Sequence, residues 1–64
     1  MIEYILEIEL ESGRKKYYND IITIDFYDKY IRIKDSDCFI IDITTRKIRT
    51  MKIIPSELRK DNNE

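Results

Sequence analysis

Hydrophobic and polar residues alternate along most of the chain, beginning with the segment IEYILEIELE. One predicted face carries Ile2, Tyr4, Leu6, Ile8 and Leu10, and the other carries Glu3, Ile5, Glu7, Glu9 and Glu11. A period of two indicates a β-strand, because successive side chains of a strand point to opposite faces. The pair Ser12-Gly13 then predicts a turn, since the only glycine of the chain tolerates a positive φ.

The next segment also alternates, from Arg14 to Phe26, with Ile22, Ile24 and Phe26 predicted to point inward. Asn19-Asp20 interrupts this pattern. The interruption predicts a bulge or sharp bend within one long strand, or alternatively a turn between two short strands.

Three shorter alternating segments follow, YIRIK, CFIIDI and IRTMKII, separated by Asp28-Lys29, Asp35-Ser36-Asp37 and the TTRK sequence at 44–47. In CFIIDI, the alternation predicts Phe39, Ile41 and Ile43 on the inward face. In the last segment Ile48 is out of phase with Met51 and Ile53, as after a single 3₁₀ turn.

Together these segments predict an all-β domain over residues 1–55, an antiparallel meander of five to six strands that closes into a small barrel. Closure is the economical solution because it removes unpaired strand edges. Pro55 ends the last strand, and residues 56–64 are predicted to form a short helical turn, capped by Ser56, and a flexible tail.

Composition restricts the chemistry. The chain of 64 residues has one cysteine and no histidine, which argues against zinc sites of Cys/His type, His-based catalysis and an intramolecular disulfide. The carboxylate pairs Asp35/Asp37 and Asp25/Asp28 have too few oxygen ligands for a calcium loop and are interpreted as turn formers. Cys38 is interpreted as a buried hydrophobe. We therefore expect no enzyme activity, no cofactor, no metal and no small-molecule substrate.

No segment has the layout of a signal peptide or the length of a membrane span, so a cytoplasmic location without membrane contact is expected. Isoleucine, lysine and tyrosine are abundant, whereas alanine and valine are absent. This bias is typical of AT-rich genes, which suggests a bacterial cell, or a phage or mobile element in a bacterial host.

The order of elements resembles the Sm-like fold, including the bacterial host-factor type of RNA chaperone, and also SH3-like barrels. The resemblance covers roughly residues 4–55 and rests on Ser12-Gly13-Arg14, on Tyr27-Asp28-Lys29-Tyr30-Ile31, and on the segment from Ile48 to Pro55. It implies that a nucleobase stacks on Tyr30 beside Lys29. Asn19 stands where that family has a glycine at the bend of its second strand.

An RNA or single-stranded DNA binder, oligomeric as the resemblance implies, is therefore one hypothesis. Its candidate contact residues are Tyr17, Lys29, Tyr30, Arg46, Lys47, Arg49 and Lys52. The net charge of −1 argues against it, because nucleic-acid binders are usually basic. The alternating acidic and basic segments also have a simpler interpretation, in which neighbouring strands pair their opposite charges across the sheet.

The favoured hypothesis is a protein-binding modulator or inhibitor. Ile5, Ile21, Ile40 and Ile54 lie out of phase with the inward residues and could form an exterior apolar patch, with Glu7 and Glu9 beside Ile5. The partner would be another protein or a second copy of the chain in a homo-oligomer. A structural assembly subunit that pairs through its edge strands is a further alternative.

Overall fold

A computed structural model describes residues 2–57 of the chain. They form one five-stranded antiparallel sheet, which confirms the predicted all-β class. The strands are β1 (Tyr4–Leu10), β2 (Lys15–Phe26), β3 (Tyr30–Asp35), β4 (Ile40–Thr44) and β5 (Ile48–Pro55). Ser56 and Glu57 are helical, and the rest of the predicted C-terminal turn and tail lies outside the described residues.

The strand order is β4-β3-β2-β1-β5. The first four strands form a meander, as predicted. The fifth strand pairs with β1 instead of β4, from Tyr4 opposite Pro55 to Leu10 opposite Ile48. Strands β4 and β5 are therefore the two edges of an open sheet, and the expected closure into a barrel is not observed.

The sheet is nevertheless strongly curled where β4 leads into β5, because residues 45–47 connect its two edges. In a flat sheet, edges separated by four strand spacings would lie about 19 Å apart. The four steps from Thr44 to Ile48 span at most about 14 Å. Two hydrogen bonds hold the connection in place: Thr45 N donates to the Lys29 carbonyl at 3.2 Å, and Glu11 N donates to the Lys47 carbonyl at 2.9 Å.

The interruption at Asn19-Asp20 is a bulge in β2, as predicted, and not a turn between two strands. Tyr4 pairs with Ile21 and Leu6 pairs with Tyr18, so β2 contains one residue more than β1 between these two pairs. Asp20 has a φ of 58°, the left-handed conformation that short polar side chains tolerate. The extra residue changes the phase of the strand and turns Ile21 inward.

A second irregularity in β2 restores the phase. Ile21 pairs with Asp35 and Thr23 with Lys34, which leaves Ile22 as the extra residue. Beyond the first bulge, the residues of β2 that contact the core are therefore Ile21 and Ile24, and the prediction that Ile22 belongs to the inward set is wrong.

Strand β5 has a similar shift, because Glu9 pairs with Thr50 while Leu10 pairs with Ile48. The extra residue, Arg49, brings Ile48 onto the same face as Leu10, where it packs against the core. A bulge, and not a preceding 3₁₀ turn, explains why Ile48 is out of phase in the sequence.

One face of the sheet, here called the inner face, carries the hydrophobic core of Leu6, Ile8, Ile21, Ile31 and Ile33. The opposite, outer face carries Ile5, whose cross-strand partner is Ile54. Ile5 is nevertheless only 5% exposed. Both faces of β1 therefore contribute to the buried apolar area.

The turn between β3 and β4 confirms one prediction and corrects two. Asp35 Oδ1 accepts hydrogen bonds from Asp37 N at 2.9 Å and Phe39 N at 3.0 Å, so this residue is a turn former as predicted. Cys38, expected to be buried, is exposed and has a φ of 69°. This conformation removes Cys38 and Phe39 from the strand, which begins at Ile40, and Phe39 is also exposed instead of inward.

Candidate functional site

The curled inner face leaves a groove between β4 and the pair β1–β2, with a volume of about 520 Å³. This concave groove has an apolar floor formed by Ile8, Leu10, Tyr18, Ile41 and Ile43. Cross-strand pairing places these side chains on the inner face, because Ile8 and Leu10 share that face with Leu6, while Ile41 and Ile43 face Ile33 and Ile31. The groove exists because the sheet curls without closing.

Three cationic side chains, those of Lys16, Arg46 and Lys47, line the same groove and are exposed. Lys16 is opposite Ile8 in the β1–β2 register, so it belongs to the inner face. Among residues 2–57, the only acidic residue lining the groove is Asp42, whose carboxylate is already bonded to Arg32 on the outer face. The groove therefore combines an apolar floor with an excess of positive charge.

The edge strand β4 is the second notable surface. Three consecutive apolar side chains are exposed where the chain enters this strand, Phe39 at 67%, Ile40 at 60% and Ile41 at 37%. Ile41 faces inward and Ile40 faces outward, so the exposed apolar surface wraps around the edge. Uncovered apolar edges of this kind favour pairing with a strand of another chain.

Two tyrosines and an arginine form a cluster on the outer face. The rings of Tyr27 and Tyr30 are stacked, with centroids 4.8 Å apart and an angle of 16° between their planes. Arg32 Cζ lies 5.7 Å from the Tyr27 centroid and 5.6 Å from the Tyr30 centroid, within cation–π range. One face of the Tyr30 ring is therefore covered by Tyr27, and the residue is half-buried.

Asp42 fixes the position of the arginine. Arg32 Nε donates to Asp42 Oδ1 at 2.8 Å, and Arg32 Nη2 donates to Asp42 Oδ2 at 3.1 Å. These hydrogen bonds, together with charge attraction, lower the pKa of the Asp42 carboxyl below its ordinary value and raise that of Arg32. The Nη1 group of Arg32 takes no part in these two bonds.

The predicted nucleic-acid contacts are not brought together into one surface. Arg46 and Lys47 line the concave groove, and Arg46 also lines a smaller cavity with Lys29. On the outer face, Lys52 and Tyr17 flank Glu7 in the strand register. Arg49 Nη1 lies 3.9 Å from Glu9 Oε2.

Acidic and basic segments therefore pair across the sheet. Besides the contact between Arg49 and Glu9, Lys15 is opposite Glu9 and Lys52 is opposite Glu7. These positions support the simpler interpretation of the alternating charge for Lys15, Arg49 and Lys52, in which opposite charges on neighbouring strands lie beside one another.

The four isoleucines predicted to form an exterior patch do not form one, so this prediction is wrong. Ile21 is 1% exposed, because the bulge turns it into the core, and Ile5 is buried on the outer face. Ile54, Glu7 and Glu9 are half-buried. Of the four isoleucines, only Ile40 is exposed.

Several residues of these surfaces were not among the predicted contacts. Lys16, Tyr18 and Ile43 are absent from the predicted contacts, yet all three line the groove. The consecutive apolar residues Phe39, Ile40 and Ile41 are a signal of an exposed apolar surface that the sequence contains. Neighbouring side chains of an extended segment point to opposite faces, so the three cannot all face one core.

Comparisons of this chain with protein-family models, with curated proteins and with solved structures found no match. No helix within residues 2–57 combines the length and the apolar character that a membrane crossing requires.

Proposed function

We propose that this chain is a non-catalytic protein-binding module that holds an extended, acidic and apolar segment of another protein in its concave groove. The observation that carries the proposal is the combination of an apolar floor with Lys16, Arg46 and Lys47 in one open groove. An extended segment is the form of peptide that lies along an adjacent edge strand.

The floor supplies the expected binding energy. A partner leucine or phenylalanine buried against Ile41, Ile43 and Tyr18 would contribute about 1.5–3 kcal/mol. The three cations favour a partner with acidic side chains, because opposite charges at the rim of an interface increase the association rate and select the partner.

A capture experiment tests this function. The wild-type chain is immobilised and exposed to a lysate of a low-GC bacterium, the source that the amino-acid composition suggests. The chain should retain a specific protein, which is then purified and its affinity measured by calorimetry. Lys16→Glu should weaken that affinity by about tenfold, because like charges are costly across an interface.

Lys15→Glu is the matched control. It makes the same change of charge in the neighbouring residue of β2, but Lys15 is opposite Glu9 on the outer face. The affinity of this variant should stay close to that of the wild type. Equal loss of affinity in the two variants, or no specifically retained protein, would contradict the proposal.

A second candidate function is single-stranded nucleic-acid binding at the outer face. The observation that favours it is the stacked pair Tyr27–Tyr30 beside Arg32, since aromatic rings and guanidinium groups stack on nucleobases. Titration of labelled RNA and DNA oligonucleotides at low and moderate salt tests it. Binding that weakens with salt and with Tyr27→Ala supports this function, whereas absence of binding at low salt excludes it.

A further inference from the structure

The two edges of the sheet differ in how they are protected against pairing. Strand β5 contains Arg49, Lys52 and Pro55, and its pairing with β1 is interrupted by a bulge at Arg49. Charged side chains, proline and bulges are the devices with which natural sheets prevent edge-to-edge association. Strand β4 has no lysine, arginine or proline, and its one charged side chain, Asp42, is bonded to Arg32 of β3. Its pairing with β3 is regular from Ile40 to Thr44.

The charges on either side of β4 are of opposite sign. Asp35 and Asp37 precede the strand, in the turn from β3, and Arg46 and Lys47 follow it, in the turn to β5. In an antiparallel pair of identical strands, the beginning of one strand lies beside the end of the other. Two β4 strands in this arrangement would bring the acidic turn of each copy close to the basic turn of its partner.

We propose that two copies of this chain pair β4 to β4 around a two-fold axis and form one continuous sheet. A two-fold axis perpendicular to the sheet keeps the inner faces of both copies on the same side, so each inward residue pairs with an inward residue. The interface is then self-complementary in hydrogen bonding, in apolar surface and in charge.

The register follows from the charges. A pair centred on Asp42 would place two carboxylates opposite each other, which is unfavourable because Arg32 is already bonded to the carboxylate of its own chain. A pair centred on Ile41 places Phe39 opposite Ile43 and Ile40 opposite Asp42. In the same register Asp37, in the turn before β4, approaches Arg46 of the other copy.

This arrangement explains why a second copy fits the edge better than an unrelated strand. The chain itself carries the acidic group that complements its basic turn, at the matching distance along β4. The edge β5 could not take the place of the second β4, because Arg49 and Lys52 would add positive charge beside Arg46 and Lys47. The proposed dimer edge shares Ile41, Ile43, Arg46 and Lys47 with the groove. The two proposals are nevertheless tested separately, because dimerisation is measured on the chain alone, whereas the groove function is measured by the binding of another protein and by Lys16→Glu.

Sedimentation velocity on the wild-type chain, at concentrations from micromolar to millimolar, tests the inference. Stable interfaces usually bury roughly 1,200–2,000 Å², more than one short strand provides. We therefore expect a weak dimer whose fraction rises with concentration and falls with added salt. A monomer at every concentration would overturn the inference and leave the β4 edge free for a strand of another protein.

A pair of variants tests the edge. Ile41→Lys places two lysines opposite each other at the two-fold axis and should weaken dimerisation by about tenfold or more. Ile53→Lys makes the same change at an isoleucine of the other edge strand that also lies on the inner face and is similarly exposed, and it should leave the dimer intact. Circular dichroism verifies that both variants fold. Equal dimerisation of the two folded variants would overturn the inference.

Charge reversal provides a test that does not depend on the isoleucine variants. Asp37→Lys places like charges at both ends of the interface and should weaken the dimer. Adding Arg46→Asp in the same chain exchanges the two signs and should restore dimerisation, because each copy again complements the other. Failure of the double variant to recover would overturn the proposed antiparallel arrangement.

Discussion

Arg32 contacts three side chains on the outer face of the sheet. It donates two hydrogen bonds to Asp42, its cross-strand partner on β4, and lies beside the rings of Tyr27 and Tyr30. The alternation in the sequence predicted that Arg32 and Asp42 point outward. The pairing between them could not be predicted in the same way, because it depends on the register between β3 and β4.

Asp42→Asn should lower the melting temperature at neutral pH, because the neutral amide loses the charge-assisted bonds to Arg32. The folded state lowers the pKa of Asp42, so the stabilisation is fully present above the ordinary carboxyl pKa of 3.8 and is lost as the pH falls through the lower, folded-state pKa. Melting curves by circular dichroism should therefore show a constant difference above about pH 5 that shrinks in stronger acid.

The control for this experiment is Asp37→Asn, which removes a carboxylate that forms no ion pair among residues 2–57. Its effect on the melting temperature should be smaller at neutral pH. A difference between wild type and Asp42→Asn that persists unchanged in strong acid would show that packing, and not charge, is responsible.

At the scale of the element, the bulges determine which residues of β2 are inside. The alternation of Ile22, Ile24 and Phe26 fits an inward set by itself, and Asn19-Asp20 was visible as an interruption in the sequence. The second extra residue, Ile22, leaves no such interruption, because it is apolar and β-branched like its neighbours. Periodicity therefore located the strand and the first bulge, but placed Ile21 on the wrong face.

Substitution at Asp20 tests the first bulge. Asp20→Val should reduce the free energy of unfolding by at least about 1 kcal/mol, because a β-branched residue is strained at a φ near 58°. Asp20→Gly should stay within about 0.5 kcal/mol of the wild type, since glycine adopts this conformation without strain. Urea unfolding measures both values.

Asn19→Val serves as the control, because the neighbouring residue is also exposed but does not have a positive φ. We expect a change within about 0.5 kcal/mol, as is usual for surface positions. If valine is tolerated equally at both positions, the left-handed conformation of Asp20 is not required for the fold.

At the scale of the whole molecule, the connection of residues 45–47 is what curls the sheet and creates the concave groove. The sequence predicted the class, the five strands and the turns, all of which depend on neighbouring residues. It did not predict the order of the edges or the groove. Those features depend on the pairing of β5 with β1, whose residues are far apart in the chain, and alternation carries no information about such pairings.

The position of β5 also has a consequence for how the protein folds as it is synthesised. Of the five strands, β1 is synthesised first, but one of its two neighbours in the sheet is β5. The pairing of Tyr4 with Pro55 can therefore form only after the last strand has been synthesised. Until then, the nascent chain presents an unpaired β1 edge beside Leu6 and Ile8, two of the most deeply buried residues of the finished core. Such long-range pairing slows folding. A ribosome stalled before Ile48 would therefore hold an incomplete sheet, which is a substrate for chaperones and proteases.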